Sequence, residues 1–191
     1  MSTERTAMGR WSTAFGYLVI AVVLVLGARG DEVRSATAES AIALYGQTPA
    51  VSNRLRSSAA GAVAAAVWAA QEPLDQKVFG CDYSDVAVLG KGVTRRPRWR
   101  AVGLAIHVVN GAAFGLAFHE TRRRRGSDGR GLAVGMALAE HAVLYPLCFF
   151  IDRFHPARGE PGVPPLLRNP RAFAQATWRH ALFGVVLGRL A

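Results

Sequence analysis

The residues HVVNGAAFG at 107–115 and HALFGVVLG at 180–188 repeat one skeleton, His-x-x-x-Gly-x-x-x-Gly, inside two of the most apolar stretches of the chain. On a helix, positions i, i+4 and i+8 share a face, so each copy predicts a helix with a small-residue groove topped by a histidine. Gly111, Gly115, Gly184 and Gly188 are therefore expected to be packing notches, where close backbone approach replaces the hydrophobic drive that lipid cannot supply. The copies lie 73 positions apart, and the same offset aligns much else. Pro73-Leu74 falls on Pro146-Leu147, and Arg95, Pro97 and Arg98 fall on Arg168, Pro170 and Arg171. This pattern predicts a tandem duplication of a unit made of helix A, a long loop and helix B. With two passages per unit the repeat is parallel, which places both long loops on one side and a pseudo-two-fold axis along the membrane normal. Ala62, Ala66 and Ala70 are the stripe expected to receive the groove in the first unit.

The chain of 191 residues is 51% hydrophobic and 19% charged, with mean hydropathy +0.17. Its charges sit in blocks between long uncharged runs, the pattern of a multi-span membrane protein. The expected fold is all-α, an integral membrane helical bundle with spans at 11–28, 57–79, 101–118, 131–151 and 172–190. Residues 1–56 form an N-terminal anchor and polar linker, and 57–191 the duplicated bundle, with repeats at 57–118 and 131–191. A cleaved signal peptide is the rival reading of the first span, against which its poor cleavage site argues. The net charge of +10 suggests nucleic acid at first sight, but no helix carries the basic residues along one face. Arg95, Arg98, Arg168 and Arg171, just before each B helix, are expected to meet anionic lipid headgroups instead. Cys81 and Cys148 make neither a disulfide framework nor a metal motif.

The halves differ where chemistry is most expected. Glu140 replaces the Val67 of the first unit, and Arg179 replaces Ile106. Both lie roughly 14–15 Å into their helices at about 1.5 Å per residue. Charges at that depth pair or face a cavity, so a buried Glu140–Arg179 contact is expected. His107, His180 and His141 share the midplane. They form either a polar patch or, if His107 and His180 face each other, the axial pair of a b-type haem. The loop residues Asp75, Asp82, Asp85, Asp152, His155 and Glu160 form no compact ligand motif and are expected to be solvated. No metal or other cofactor is called for, and with no nucleophile–base constellation or phosphate-binding loop the chain does not read as an enzyme.

The Ala/Gly-rich helix followed by His-x-x-x-Gly-x-x-x-Gly, repeated near the C-terminus, resembles the small multi-pass bacterial inner-membrane proteins of YagU-like families over residues 57–191. The resemblance implies a multi-pass protein of the bacterial inner membrane and transfers no catalytic residues. The expected function is structural or accessory, a bundle packing with itself or with a membrane partner protein. Alternatives are a transporter or proton-conducting role for Glu140, Arg179 and the histidines, and a haem electron carrier. Charge around the first span favours a cytoplasmic N-terminus and long loops, although the arginines at 122–125 argue the reverse.

Overall fold

The computed structural model describes residues 49–126 and 129–191; the first expected span, at 11–28, lies outside them. All regular structure among the described residues is helical: α1 (Pro49–Phe79), α2 (Asp85–Val93), α3 (Trp99–Arg125), α4 (Arg130–Leu144), a 3-10 turn (Tyr145–Leu147), α5 (Cys148–Phe154) and α6 (Pro170–Leu190). The four expected segments are present, with different ends. Helix α1 starts within the expected linker, because residues 50–56 contain neither Gly nor Pro to stop it. Helix α3 runs on through Arg122–Arg125, whose charges suit a helix C-terminus, and closes at Gly126 with φ +61°. The third segment is broken at Pro146, which has no N–H to donate, into α4, the turn and α5. Helix α2 was not expected. Ser84 caps it by accepting from the Ala87 amide at 3.1 Å.

Helix α1 packs against α3 and α6, α4 against α6, and α2 against α3. The glycines of the repeated skeleton make the seams. A Cβ on Gly111 would meet the Ala65 Cβ and the Gly61 carbonyl oxygen at 2.5 Å, and one on Gly115 would strike the Ser57 carbonyl. Likewise Gly184 faces Val134 and Ala133, and Gly188 faces Arg130. Each residue in the contacts Val134–Gly184 and Arg130–Gly188 lies 73 positions after its counterpart in Gly61–Gly111 and Ser57–Gly115. The receiving stripe on α1 is thus Ser57, Gly61 and Ala65; Ala66 and Ala70, expected there, are exposed. The correspondence stops there, for α1 packs on α6 while α4 and α3, at the matching positions, scarcely touch.

Beside apolar clusters that include Phe118 and Leu187, polar side chains are fully buried while large apolar ones stand exposed. Arg179, Gln175 and His155 are 0% exposed, whereas Val109 and Val143 are 65% and 71% exposed. Among the described residues two helical segments, α3 and the run from α4 through α5, are long and apolar enough to cross a membrane; only 33% and 17% of their apolar windows are buried. At one end Arg122 and Arg56 donate to the carbonyls of Ala191 and Leu190, both at 3.2 Å, joining the arginine-rich end of α3 to the C-terminus. At the other, the two long loops are tied by Lys91 to the Pro161 carbonyl (2.8 Å) and the Gly162 amide to Asp82 (2.9 Å).

Candidate functional site

The buried stripe of α6 carries Gln175 and Arg179 one turn apart, facing the stripe of α1 that bears Trp68, Glu72 and Asp75. The start of α2 closes the site, because the chain turns back after Gly80 and brings Tyr83 and Asp85 against Arg179 and Ser84 against Glu72. The guanidinium gives Nε and Nη2 to the two oxygens of Asp75, both at 2.6 Å. It gives Nη1 to Asp85 at 2.9 Å and to Glu72 at 3.4 Å, and Nη2 also to the Tyr83 carbonyl at 3.0 Å. These five contacts match the five N–H donors of an arginine. The planar fork suits bidentate pairing with Asp75, which lysine could not reproduce.

Each carboxylate is held from other directions as well. Asp75 accepts from Gln175 at 2.6 Å and Gln71 at 2.5 Å. Asp85 accepts from the Trp68 indole at 3.0 Å and the Tyr83 hydroxyl at 2.5 Å. Glu72 accepts from the Ser84 hydroxyl at 2.6 Å and the Asp85 amide at 3.0 Å, so it also secures the N-terminus of α2. Burial alone would raise the Asp85 carboxyl, yet Arg179, with His107 and the Tyr83 hydroxyl, holds it below the usual carboxylate range. Burial, with Asp85 beside it, pushes the Tyr83 phenol up, keeping it a donor. One cation thus faces three carboxylates, a surplus of two negative charges if all ionise.

An aromatic layer adjoins this hub. The Trp68 ring stands edge-on to His107 at 5.1 Å and to His180 at 4.7 Å, and His180 lies 4.7 Å from His141. His180 Nδ1 is bonded to the Ala176 carbonyl at 2.7 Å, and His141 Nε2 to Thr177 at 2.9 Å. Two buried polar atoms, His107 Nε2 and Gln175 Oε1, lack a protein partner. Of the expected histidine patch, His180 and His141 lie side by side, whereas His107 meets Trp68 and is joined to neither by a hydrogen bond, and Glu140 takes no part. A haem does not fit between His107 and His180: the Trp68 indole touches both imidazoles and occupies the space a macrocycle would need.

The expected Glu140–Arg179 pair is corrected, since Arg179 is filled by Asp75, Asp85 and Glu72 and Glu140 lies elsewhere on α4. Depth along the helices matched the two residues; facing direction separated them. Of the loop residues expected to be solvated, Asp82 is exposed and Asp152 and Glu160 are half-buried, but Asp75 and His155 are buried. Asp75 and Asp85 are in the hub, and Asp82 accepts from the Gly162 amide. Asp152 accepts from the amides of Leu166 and Leu167 at 2.8 and 2.9 Å, while Glu160 pairs with Lys91 and Arg95. All four arginines before the B helices are exposed, but Arg95 also donates to the Pro156 carbonyl at 2.5 Å and Arg171 to the Gly80 carbonyl at 3.4 Å. Cys81 and Cys148 are free thiols in one small apolar cluster with Leu166 and Ala172. No group of three or more His, Cys, Asp or Glu suited to a metal occurs among the described residues.

Glu72, Asp75, Tyr83 and Gln175 were not singled out together from sequence. The available signal was the pair of acids interrupting an otherwise apolar helix, next to a Gln on the buried face of α6. No family model matches the chain, and neither the curated proteins nor the solved structures contain a match to it.

Proposed function

We propose that the protein is an integral membrane bundle, formed by tandem duplication of a two-helix unit, whose working part is a proton-binding centre around Arg179. The observation that carries this reading is the buried guanidinium facing three carboxylates. A pair that merely locked two helices would need one acid. Burying two further negative charges is costly unless protons or cations neutralise them. Glu72 is the carboxyl least engaged by Arg179, at 3.4 Å against 2.6 and 2.9 Å, and so takes a proton with least loss. The partnerless His107 Nε2 and Gln175 Oε1 extend the polar region with atoms that water can satisfy. The exposed apolar faces of α3 and α4 support a bilayer as the surroundings. An accessory role accounts for the glycine seams but leaves the surplus charge without a purpose.

The test uses the full chain in anionic phospholipid vesicles containing a pH-sensitive dye, with a potassium diffusion potential as driving force. Proton uptake should exceed that of protein-free vesicles and be lost in Glu72→Gln, which keeps the shape of the protonated acid. Uptake equal to that of protein-free vesicles, or unchanged in Glu72→Gln, would overturn the reading.

A further inference from the structure

Glu140 stands apart from the Arg179 centre. On α4, Ala133, Ala137 and His141 are buried, whereas Gly131, Gly135, Ala139 and Val143 are exposed. Glu140 is half-buried at the border between these faces. Its counterpart one repeat earlier, Val67, is 37% exposed. A Cβ built on Gly131 or Gly135 meets nothing, so the outer face of α4 is open. From Arg130, the first residue of the helix, to Glu140 is roughly 15 Å at about 1.5 Å per residue, near the middle of a candidate span.

No hydrogen bond or ion pair to Glu140 occurs among the described residues. The titratable groups on the packed elements are committed elsewhere. On α6, Arg179 is held by its three carboxylates and His180 by the Ala176 carbonyl, while Arg189 adjoins Gly188, level with Arg130 at the far end. In the 3-10 turn the Tyr145 hydroxyl donates to the Leu166 carbonyl. His141, the next residue of α4, is bonded to Thr177, and His107 of α3 lies against Trp68. An unpaired carboxylate facing hydrocarbon costs several kcal/mol, so the group must be neutralised by a proton or by a cation from outside this bundle. The 11–28 segment contains no charged residue that could serve.

We propose that Glu140 is a proton-carrying carboxylic acid open to the acyl-chain face of the bundle, a second proton-binding site separate from the Arg179 centre. This inference rests on the bilayer reading. The test treats the full chain in vesicles with dicyclohexylcarbodiimide, which partitions into lipid, and in parallel with a cationic, water-soluble carbodiimide. The acid proton passes to a carbodiimide nitrogen as the carboxyl oxygen adds to the central carbon. Acyl transfer from oxygen to nitrogen then leaves a stable N-acylurea carrying the whole reagent, with nothing expelled. The expected result is addition at Glu140 by the lipid-soluble reagent alone, located by peptide fragmentation of the unaltered protein and absent in Glu140→Gln. Above the point where the acid titrates, labelling should fall about tenfold per pH unit. Labelling by the water-soluble reagent would show that this face lies in water and would remove the bilayer reading too. Labelling by neither would mean an ionised Glu140 paired with another chain and would overturn the proposal alone.

Discussion

Replacing Arg179 with methionine keeps an unbranched side chain of similar reach and removes the only cation in the hub. Asp75 loses two bonds of 2.6 Å and Asp85 one of 2.9 Å. Charge-assisted hydrogen bonds contribute about 1.5–3 kcal/mol each, and removing one member of a buried ion pair costs about 3–5 kcal/mol. We expect Arg179→Met to lose about 4 kcal/mol, a large share of a typical stability of about 5–15 kcal/mol. Asp75→Asn keeps hydrogen-bonding atoms beside Gln71 and Gln175 and leaves Arg179 with Asp85 and Glu72, so it should cost about 1–3 kcal/mol. The double variant should be more stable than the sum of the two losses by about 2–3 kcal/mol, because one uncompensated charge is gone. Thermal unfolding in mild detergent, followed by tryptophan fluorescence, measures this; Trp68 reports directly through its bond to Asp85. Arg179→Met should also gain stability as pH falls, because Asp85, held down by Arg179 in the parent, then takes a proton and sheds its stranded charge. Losses that add within about 0.5 kcal/mol, or a single variant as stable as the parent at pH 8, would refute this account of the hub.

Gly61→Ala and Gly111→Ala drive a Cβ into the facing backbone and should each cost about 1–3 kcal/mol. Gly135→Ala, with open space around it, should gain about 0.5–1 kcal/mol in the same melting assay. Val109→Lys separates the possible surroundings of α3: at a 65% exposed position in water it should change stability by less than about 0.5 kcal/mol, but facing lipid it should cost about 2.5–3.5 kcal/mol. His155 accepts from the Ala157 amide through Nδ1, so Nε2 carries the proton and donates to the Val88 carbonyl at 2.9 Å. Burial holds this imidazole below the ordinary histidine value despite the Val88 bond, and Lys91, Arg95 and Glu160 surround it. Above about pH 6.5 the folded and unfolded states are both neutral and the full stability is present. As pH falls, the unfolded chain takes its proton first, and stability is lost down to the folded value. Protection of the amides over residues 155–167, each rate taken relative to its intrinsic rate at the same pH, should therefore fall from pH 7.5 to 5, and His155→Phe should flatten that dependence.

Four long helical segments, and the glycine faces along which two of them pack, were legible in the sequence. Gly111, Gly115, Gly184 and Gly188 recur at helical spacing, and such spacing leaves few partners for a backbone that must approach closely. The sequence also marked Arg179 as a residue needing a partner at its depth. Which partner was a different kind of question. Glu140 and Arg179 share a depth, but direction around each helix axis and the return of the chain after Gly80 decide what touches. That return brings Tyr83 and Asp85 to the guanidinium and Ser84 to Glu72, so that acids from two helices meet an arginine far along the chain. Helix α2 was illegible for a related reason: its nine residues include two glycines, and its stability comes from the Ser84 cap, Glu72 and packing on α3. Local periodicity specifies what a segment is, because neighbours along the chain set it. The charge balance of a buried site is set by neighbours in space, and only the tertiary structure decides those.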